Sequence, residues 1–97
     1  MIVRLTSRFH RDLHDIGEWI SCHDPEAAPR IAEELIGKAL ATGDLPRGFP
    51  VVSRRNGVEL RERTHGDYII LYRLNIQVEV LRAVHVRRDY LSLLQDL

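Results

Sequence analysis

The spacing of apolar positions changes once along the chain, from a helical period to an alternating one. Phe9, Leu13, Ile16 and Ile20 recur at intervals of four, three and four, which places them on one face of a helix over residues 8–21, with Asp12, Asp15 and Glu18 turned away. Ser7 stands where an N-cap is expected. Ahead of it, Ile2 to Leu5 is short and alternating, the pattern of a first strand ended by Thr6 and Ser7. Asp24-Pro25-Glu26 reads as a second helix start: Asp accepts backbone N–H bonds, Pro tolerates the first turn, and Glu suits the positive end of the dipole. That helix runs to about Ala41 with Ala28, Ile31, Ala32, Leu35, Ile36 and Ala39 on its apolar face. The few residues between the two helices predict an antiparallel helical hairpin.

Between Gly43 and Gly57 the periodicity is lost. Leu45-Pro46-Arg47-Gly48-Phe49-Pro50 and Arg54-Arg55-Asn56-Gly57 predict a turn-rich connector of about 15 residues, at the upper limit of ordinary loops and of a length that invites function. The period then falls to two. Val58 to Thr64 reads as a strand wet on one face, whereas Tyr68 to Arg73 and Val78 to Val84 are apolar on both faces, as central strands covered by helices would be. Asn75 tolerates positive φ and would link these two into a hairpin. Tyr90, Leu91, Leu93, Leu94 and Leu97 predict a short C-terminal helix or a tail whose leucines need cover. The predicted fold class is α+β: an N-terminal strand and an antiparallel helical hairpin packed on a small, mainly antiparallel sheet, the first strand at one edge, with a short C-terminal helix.

Size and composition narrow the class. Ninety-seven residues hold a single core, so residues 1–97 are read as one domain. With 44% hydrophobic and 29% charged residues, the chain belongs with soluble globular proteins and not with disordered ones. No apolar run approaches the roughly 18 residues of a membrane span, and charges interrupt the first twenty residues where a signal peptide would be apolar. The expected location is the cytoplasm, with no membrane partner. Cys22 is the single cysteine, which rules out an internal disulfide and a thiolate metal cluster.

The net charge of zero conceals a segregation. Met1 to Pro46 carries five basic and eight acidic residues, a net of minus three, while Arg47 to Arg88 carries nine arginines against four acids, a net of plus five. Thirteen of the fourteen basic residues are Arg, whose planar fork suits carboxylate, phosphate or stacked contacts. The second half could therefore face an anionic partner.

Arg61 and Arg63 lie two apart on one strand and share a face. Arg73 and Arg82 extend from the next two strands, and His85, Arg87, Arg88 and Tyr90 leave the end of the last. Adjacent strands would bring several of these groups to one end of the sheet. A His beside Arg and Tyr could act as acid and base on a phosphodiester, with guanidinium groups stabilising the developing charge and no metal required. The competing and more frequent arrangement pairs Arg61, Arg63 and Arg82 with Glu59, Glu62 and Glu79 across strands. His10 and His14 are four apart on the first helix but have no third ligand, and His23 and His65 sit beside turns. Neither a metal nor a cofactor is implied. Trp19, next to the apolar stripe, reads as a packing residue, and Phe49 as an anchor for the long loop.

These segments together carry a family likeness. Val58-Glu59-Leu60-Arg61-Glu62, then Tyr68-Ile69-Ile70-Leu71-Tyr72-Arg73-Leu74, then Val80-Leu81-Arg82-Ala83-Val84-His85-Val86-Arg87-Arg88-Asp89, with Leu5-Thr6 ahead of Asp12, Leu13 and Ile16, and Asp24-Pro25-Glu26-Ala27-Ala28 at the second helix, resemble the RelE/ParE toxin superfamily of bacterial and plasmid toxin-antitoxin modules. The likeness spans nearly the whole chain and is closer to the ParE type. It implies a growth-inhibiting toxin that poisons DNA gyrase and is held inactive by a cognate antitoxin in a hetero-oligomer, touching operator DNA only through that antitoxin. For target or antitoxin binding it implicates Arg54, Arg55, Arg61, Arg63, Arg82, Arg87 and Arg88. The alternative within the superfamily is a RelE-like, ribosome-dependent messenger RNA endoribonuclease, for which Arg61, Arg73, His85, Arg88 and Tyr90 would form a reduced active site. Nuclease members place Arg or Lys where this chain has Ile69, a departure that favours the ParE type.

Overall fold

The structure, a computed structural model, describes residues 1–87. The expected C-terminal helix or leucine tail, with Arg88 and Tyr90, lies outside the described residues. Within them the order is β1 (Val3–Leu5), α1 (Ser7–Ser21), α2 (Ala27–Ala41), β2 (Val51–Arg55), β3 (Val58–His65), β4 (Tyr68–Leu74) and β5 (Val78–His85). The sheet order is β1-β5-β4-β3-β2. β1 runs parallel to β5 at one edge, and every other neighbouring pair is antiparallel.

The helical hairpin covers one face of this sheet. Phe9, Leu13, Leu35 and Ala39 from the helices pack on Ile70, Tyr72, Leu74, Val78, Val80 and Ala83 from β4 and β5, so the two periodicities of the sequence meet in one core. Ile69, Leu71 and Val84 form a separate buried cluster. Among the described residues no helix is long and apolar enough to cross a membrane.

Both helix starts differ from their predicted form. α1 is capped by Thr6, one residue earlier than Ser7: the Thr6 hydroxyl accepts from the Phe9 amide at 3.2 Å and donates to the Val80 carbonyl at 2.7 Å. One hydroxyl thus serves a helix amide and a strand carbonyl, which Ser7, inside the helix, is not placed to do. At α2, Glu26 is the N-cap and makes no side-chain cap bond; Asp24 contributes its backbone carbonyl, accepting from the Ala27 amide at 3.1 Å.

The long connector contains a strand that the apolar pattern did not reveal. β2 is an exposed edge strand, so its side chains are under little pressure to alternate, and a register shift between Val51 and Ser53 breaks what alternation there is. Its turn is legible in retrospect. Asn56 and Gly57 have φ of 53° and 79°, the two left-handed positions of a two-residue hairpin loop. Asn75, by contrast, lies outside the positive-φ set. The β4–β5 link spans Asn75 to Gln77 and closes with the Asn75 amide donating to the Gln77 carbonyl at 3.2 Å, so three residues make the turn without a left-handed Asn.

A second irregularity decides where Arg82 goes. Leu71 pairs with Arg82, but Tyr72 pairs with Val80, so Leu81 is an extra residue in β5 and the two-residue alternation resets there. Val80 and Ala83, three apart, both join the core beneath the helices.

Candidate functional site

Most arginines singled out by sequence are tied to the protein itself. Arg61, buried at 6% exposure, donates from Nη1 to the carbonyls of Arg47 and Phe49 at 3.1 and 2.6 Å and from Nε and Nη2 to Glu59 Oε1 at 3.2 and 2.8 Å. Arg63 donates to the Lys38 carbonyl at 3.0 Å, and its guanidinium carbon lies 4.5 Å from the centre of the Phe49 ring. The Tyr72 hydroxyl donates to the Pro46 carbonyl at 2.7 Å, while the Phe49 and Tyr72 rings meet edge to face at 6.4 Å. These groups satisfy carbonyls of the loop and of the last turn of α2 near the core. Phe49 is the loop's anchor. Burial pushes the Tyr72 hydroxyl above its ordinary pKa, and hydrogen bonds from Arg61 and then Arg54 hold Glu59 below the usual carboxylate range.

Arg82 is committed two strands away, on β5. Its Nε and Nη2 donate to the two carboxylate oxygens of Asp12 at 2.7 and 3.1 Å, and the Ala83 amide donates to Asp12 Oδ2 at 3.0 Å. β1 pairs with β5 only as far as Val80, so beyond that point the Asp12 carboxylate bonds a β5 amide in place of a strand partner. Asp12 was expected to face solvent; it is buried. The sequence held a hint, since Asp12 follows Phe9 by three residues and adjoins Leu13, at the border of the apolar stripe.

Beside this buried pair lies a cavity of about 430 Å³, lined by Asp15, Ile16, Trp19, Tyr68, His85 and Arg87 among others. A second cavity of about 460 Å³ shares Trp19, Tyr68, His85 and Arg87 and extends to Asp24 and Arg30. Trp19 is 60% exposed and stacks on His23 at 4.4 Å. It is a wall of an open groove, contrary to the packing role expected of it; helical spacing alone did not separate the two. Tyr68 meets His85 edge to face at 5.5 Å, and burial, then the charge of Asp67, raises its hydroxyl pKa. His85 accepts at Nδ1 from the Arg87 amide at 3.1 Å.

The expected gathering of groups at one sheet end does not occur among the described residues. Arg61 pairs with Tyr72 on the helix-covered face, whereas Arg73 pairs with Leu60 and alternates to the other face. His85 pairs with Tyr68, five residues from Arg73 along β4, roughly 17 Å at strand rise. Arg73 lies 3.3 Å from Glu79, which also takes a short contact from Arg4; the Arg4 bond and then the Arg73 charge lower the Glu79 pKa. Of the expected pairings of Arg61, Arg63 and Arg82 with strand glutamates, Arg61 does bond Glu59, but along its own strand, while Arg63 bonds a helix carbonyl and Arg82 a helix carboxylate. Of the arginines named for binding, Arg54, Arg55 and Arg87 are exposed, Arg54 with a 2.7 Å bond to Glu59. Among the described residues no group of three or more His, Cys, Asp or Glu side chains could hold a metal.

The fold is that of a toxin–antitoxin protein. It matches a chain of the chromosomal ParDE TA system from P. aeruginosa with a TM-score of 0.70 at 17% identity, over 88% of this chain and 95% of that one. It matches a chain of the toxin–antitoxin complex RelBE2 from Mycobacterium tuberculosis with a TM-score of 0.60 at 27% identity, over 86% and 94%. The sequence profile described as "ParE toxin of type II toxin-antitoxin system, parDE" covers residues 3–90. The chain is also 34% identical over 91 residues, 91% of each chain, to a Sinorhizobium fredii (strain NBRC 101917 / NGR234) protein named "Putative toxin Y4kP". This chain belongs to the ParE toxin family of type II toxin–antitoxin systems.

Proposed function

We propose that the protein arrests growth by inhibiting DNA gyrase and is neutralised by a cognate antitoxin. The supporting observation is the dispersal of the groups a nuclease would need: Arg61 is buried against loop carbonyls, Arg73 stands on the opposite face beside Glu79, and His85 lies at the far end of the β4–β5 ladder. Ile69, where nuclease relatives carry a cation, is packed with Leu71 and Val84. Membership in the ParE family supports the same reading. The protein would act in the cytoplasm, reach operator DNA only through the antitoxin and serve to stabilise the plasmid or locus that encodes the pair. A supercoiling assay with purified gyrase tests it, with inhibition expected at micromolar protein. Uninhibited supercoiling, together with no DNA-damage response on expression, would overturn it.

One observation favours a second reading, cleavage of messenger RNA on the ribosome. His85 and Tyr68 adjoin an open cavity with Arg87 beside them, and a chain of the RelBE2 complex shares 27% identity. Translating ribosomes would then yield cut messages, and His85→Ala would cut much less; intact messages would rule it out.

A further inference from the structure

The groove beside α1 joins an aromatic platform to polar groups of both signs. Asp15 and Trp19 stand four apart on α1 and share a helical face. Across from them, Tyr68 and His85 are partners on β4 and β5, and Arg87 follows two residues on. All five line the cavity of about 430 Å³, a size that suits a small ligand. Trp19 is held in place although it is exposed. His23 donates from Nδ1 to the Trp19 carbonyl at 2.9 Å and stacks on the indole with 28° between the ring planes, so a flat surface is positioned before anything binds to it.

The polar groups of this cavity are sorted by element. On the β5 side, His85 Nδ1 is taken by the Arg87 amide, which leaves Nε2 as the ring's N–H donor, and the Arg87 guanidinium has no side-chain partner among the described residues. On the α1 side, Asp12 is consumed by Arg82, whereas the Asp15 carboxylate is exposed and has no partner among the described residues. The charges of Asp15 and Arg87 cancel, so neither a bare anion nor a bare cation is favoured. A flat, neutral ring with two acceptors on one edge and two donors on another fits both groups. Guanine is such a ring: O6 and N7 accept from a guanidinium, and N1–H and the N2 amino group donate to a carboxylate, whereas adenine carries an amino donor beside N7. We infer that this cavity binds the guanine base of a nucleoside or mononucleotide, stacked on Trp19, with Arg87 on O6 and N7 and Asp15 on N1 and N2. The adjoining cavity favours a small ligand over a nucleic-acid strand. It is lined by Asp24 and Asp67, and its Arg30 is engaged by Glu34 at 3.3 Å, so a phosphate backbone would meet uncompensated carboxylates there. The site requires neither gyrase nor the ribosome as the target.

The test titrates the purified full chain with guanosine, following the fluorescence of Trp19, the single tryptophan, with calorimetry as a second measure. Guanosine should quench the indole and bind at least about tenfold more tightly than adenosine. Asp15→Ala and Arg87→Ala, both at exposed positions, should each weaken guanosine binding about tenfold and leave the melting temperature unchanged. Inosine, which lacks the N2 amino group, should bind the unaltered chain more weakly than guanosine does but bind Asp15→Ala equally well, a change in selectivity that a general packing defect would not produce. Equal affinity for guanosine and adenosine would overturn the inference and leave the groove an unselective aromatic surface. No quenching and no heat at millimolar guanosine would overturn it as well. Tight binding of a guanine-containing single-stranded oligonucleotide by a chain that ignores guanosine would also overturn it, assigning the groove to nucleic acid. None of these outcomes bears on gyrase inhibition, which the supercoiling assay tests separately.

Discussion

Two regions of this sheet use arginine and aromatic residues to opposite ends. At the β3 side, Arg61, Arg63, Tyr72 and Phe49 are bound to one another and to the carbonyls of residues 38–49, so that a long connector becomes a fixed part of the fold. At the end of β5, Trp19, Tyr68, His85 and Arg87 border open cavities, and the one arginine that is buried there, Arg82, serves to lock α1 to β5. Residue type does not distinguish these roles. What does is whether the chain presents backbone carbonyls or a carboxylate within reach: where it does, the guanidinium is consumed in folding, and where it does not, the side chain stays available.

That contrast breaks most sharply at the Asp12–Arg82 lock. Asp12→Ala should destabilise the protein by about 3–5 kcal/mol, because it leaves a buried guanidinium and the Ala83 amide uncompensated; urea unfolding measures it, and a loss below about 1 kcal/mol would show the pair to be solvated. Arg61→Ala comes next. Losing charge-assisted bonds to two loop carbonyls should cost about 1.5–3 kcal/mol and open residues 43–50 to limited proteolysis ahead of global unfolding. A loop as resistant as before would mean that Phe49 and Tyr72 suffice.

Acid should act on the same contrast more gently. Glu34, Glu59 and Glu79 are all held below the ordinary carboxylate pKa, Glu34 by its hydrogen bond with His65 foremost, Glu59 by that from Arg61 and Glu79 by that from Arg4. Depressed folded-state values mean that their stabilisation is complete above the unfolded carboxylate pKa of about 4.3 and is lost as pH falls through the lower folded values. Stability should therefore be flat in these three groups above about pH 5 and decline below it, with Glu59→Gln flattening part of the fall in a melting-temperature profile. The smallest effect belongs to the groove. Trp19→Ala should shift stability by no more than about 0.5 kcal/mol, since the indole is mostly solvated; a larger loss would make Trp19 part of the core and narrow the contrast between the regions.

Much of the architecture was legible in one dimension. The four-three-four spacing of Phe9, Leu13, Ile16 and Ile20 gave α1, the doubly apolar runs gave β4 and β5, and their order gave a helical hairpin on an antiparallel sheet with β1 at its edge. Those features follow from burial of one face or two, which leaves a periodic trace in the chain. β2 left none because an exposed edge strand buries little, and the Asn-Gly turn after it was the available signal.

The candidate site was far less legible, for a physical reason that Asp12 and Arg82 illustrate. They lie 70 residues apart, and their meeting depends on where β1 stops and on the extra residue at Leu81. No local period encodes either fact. The sequence by itself determined the two helices, four of the five strands, their order and the family, because each is written in short-range spacing and wording. The tertiary structure alone decided which arginines are consumed by carbonyls and carboxylates and which aromatic groups border a groove, because those outcomes depend on contacts between segments that the fold brings together.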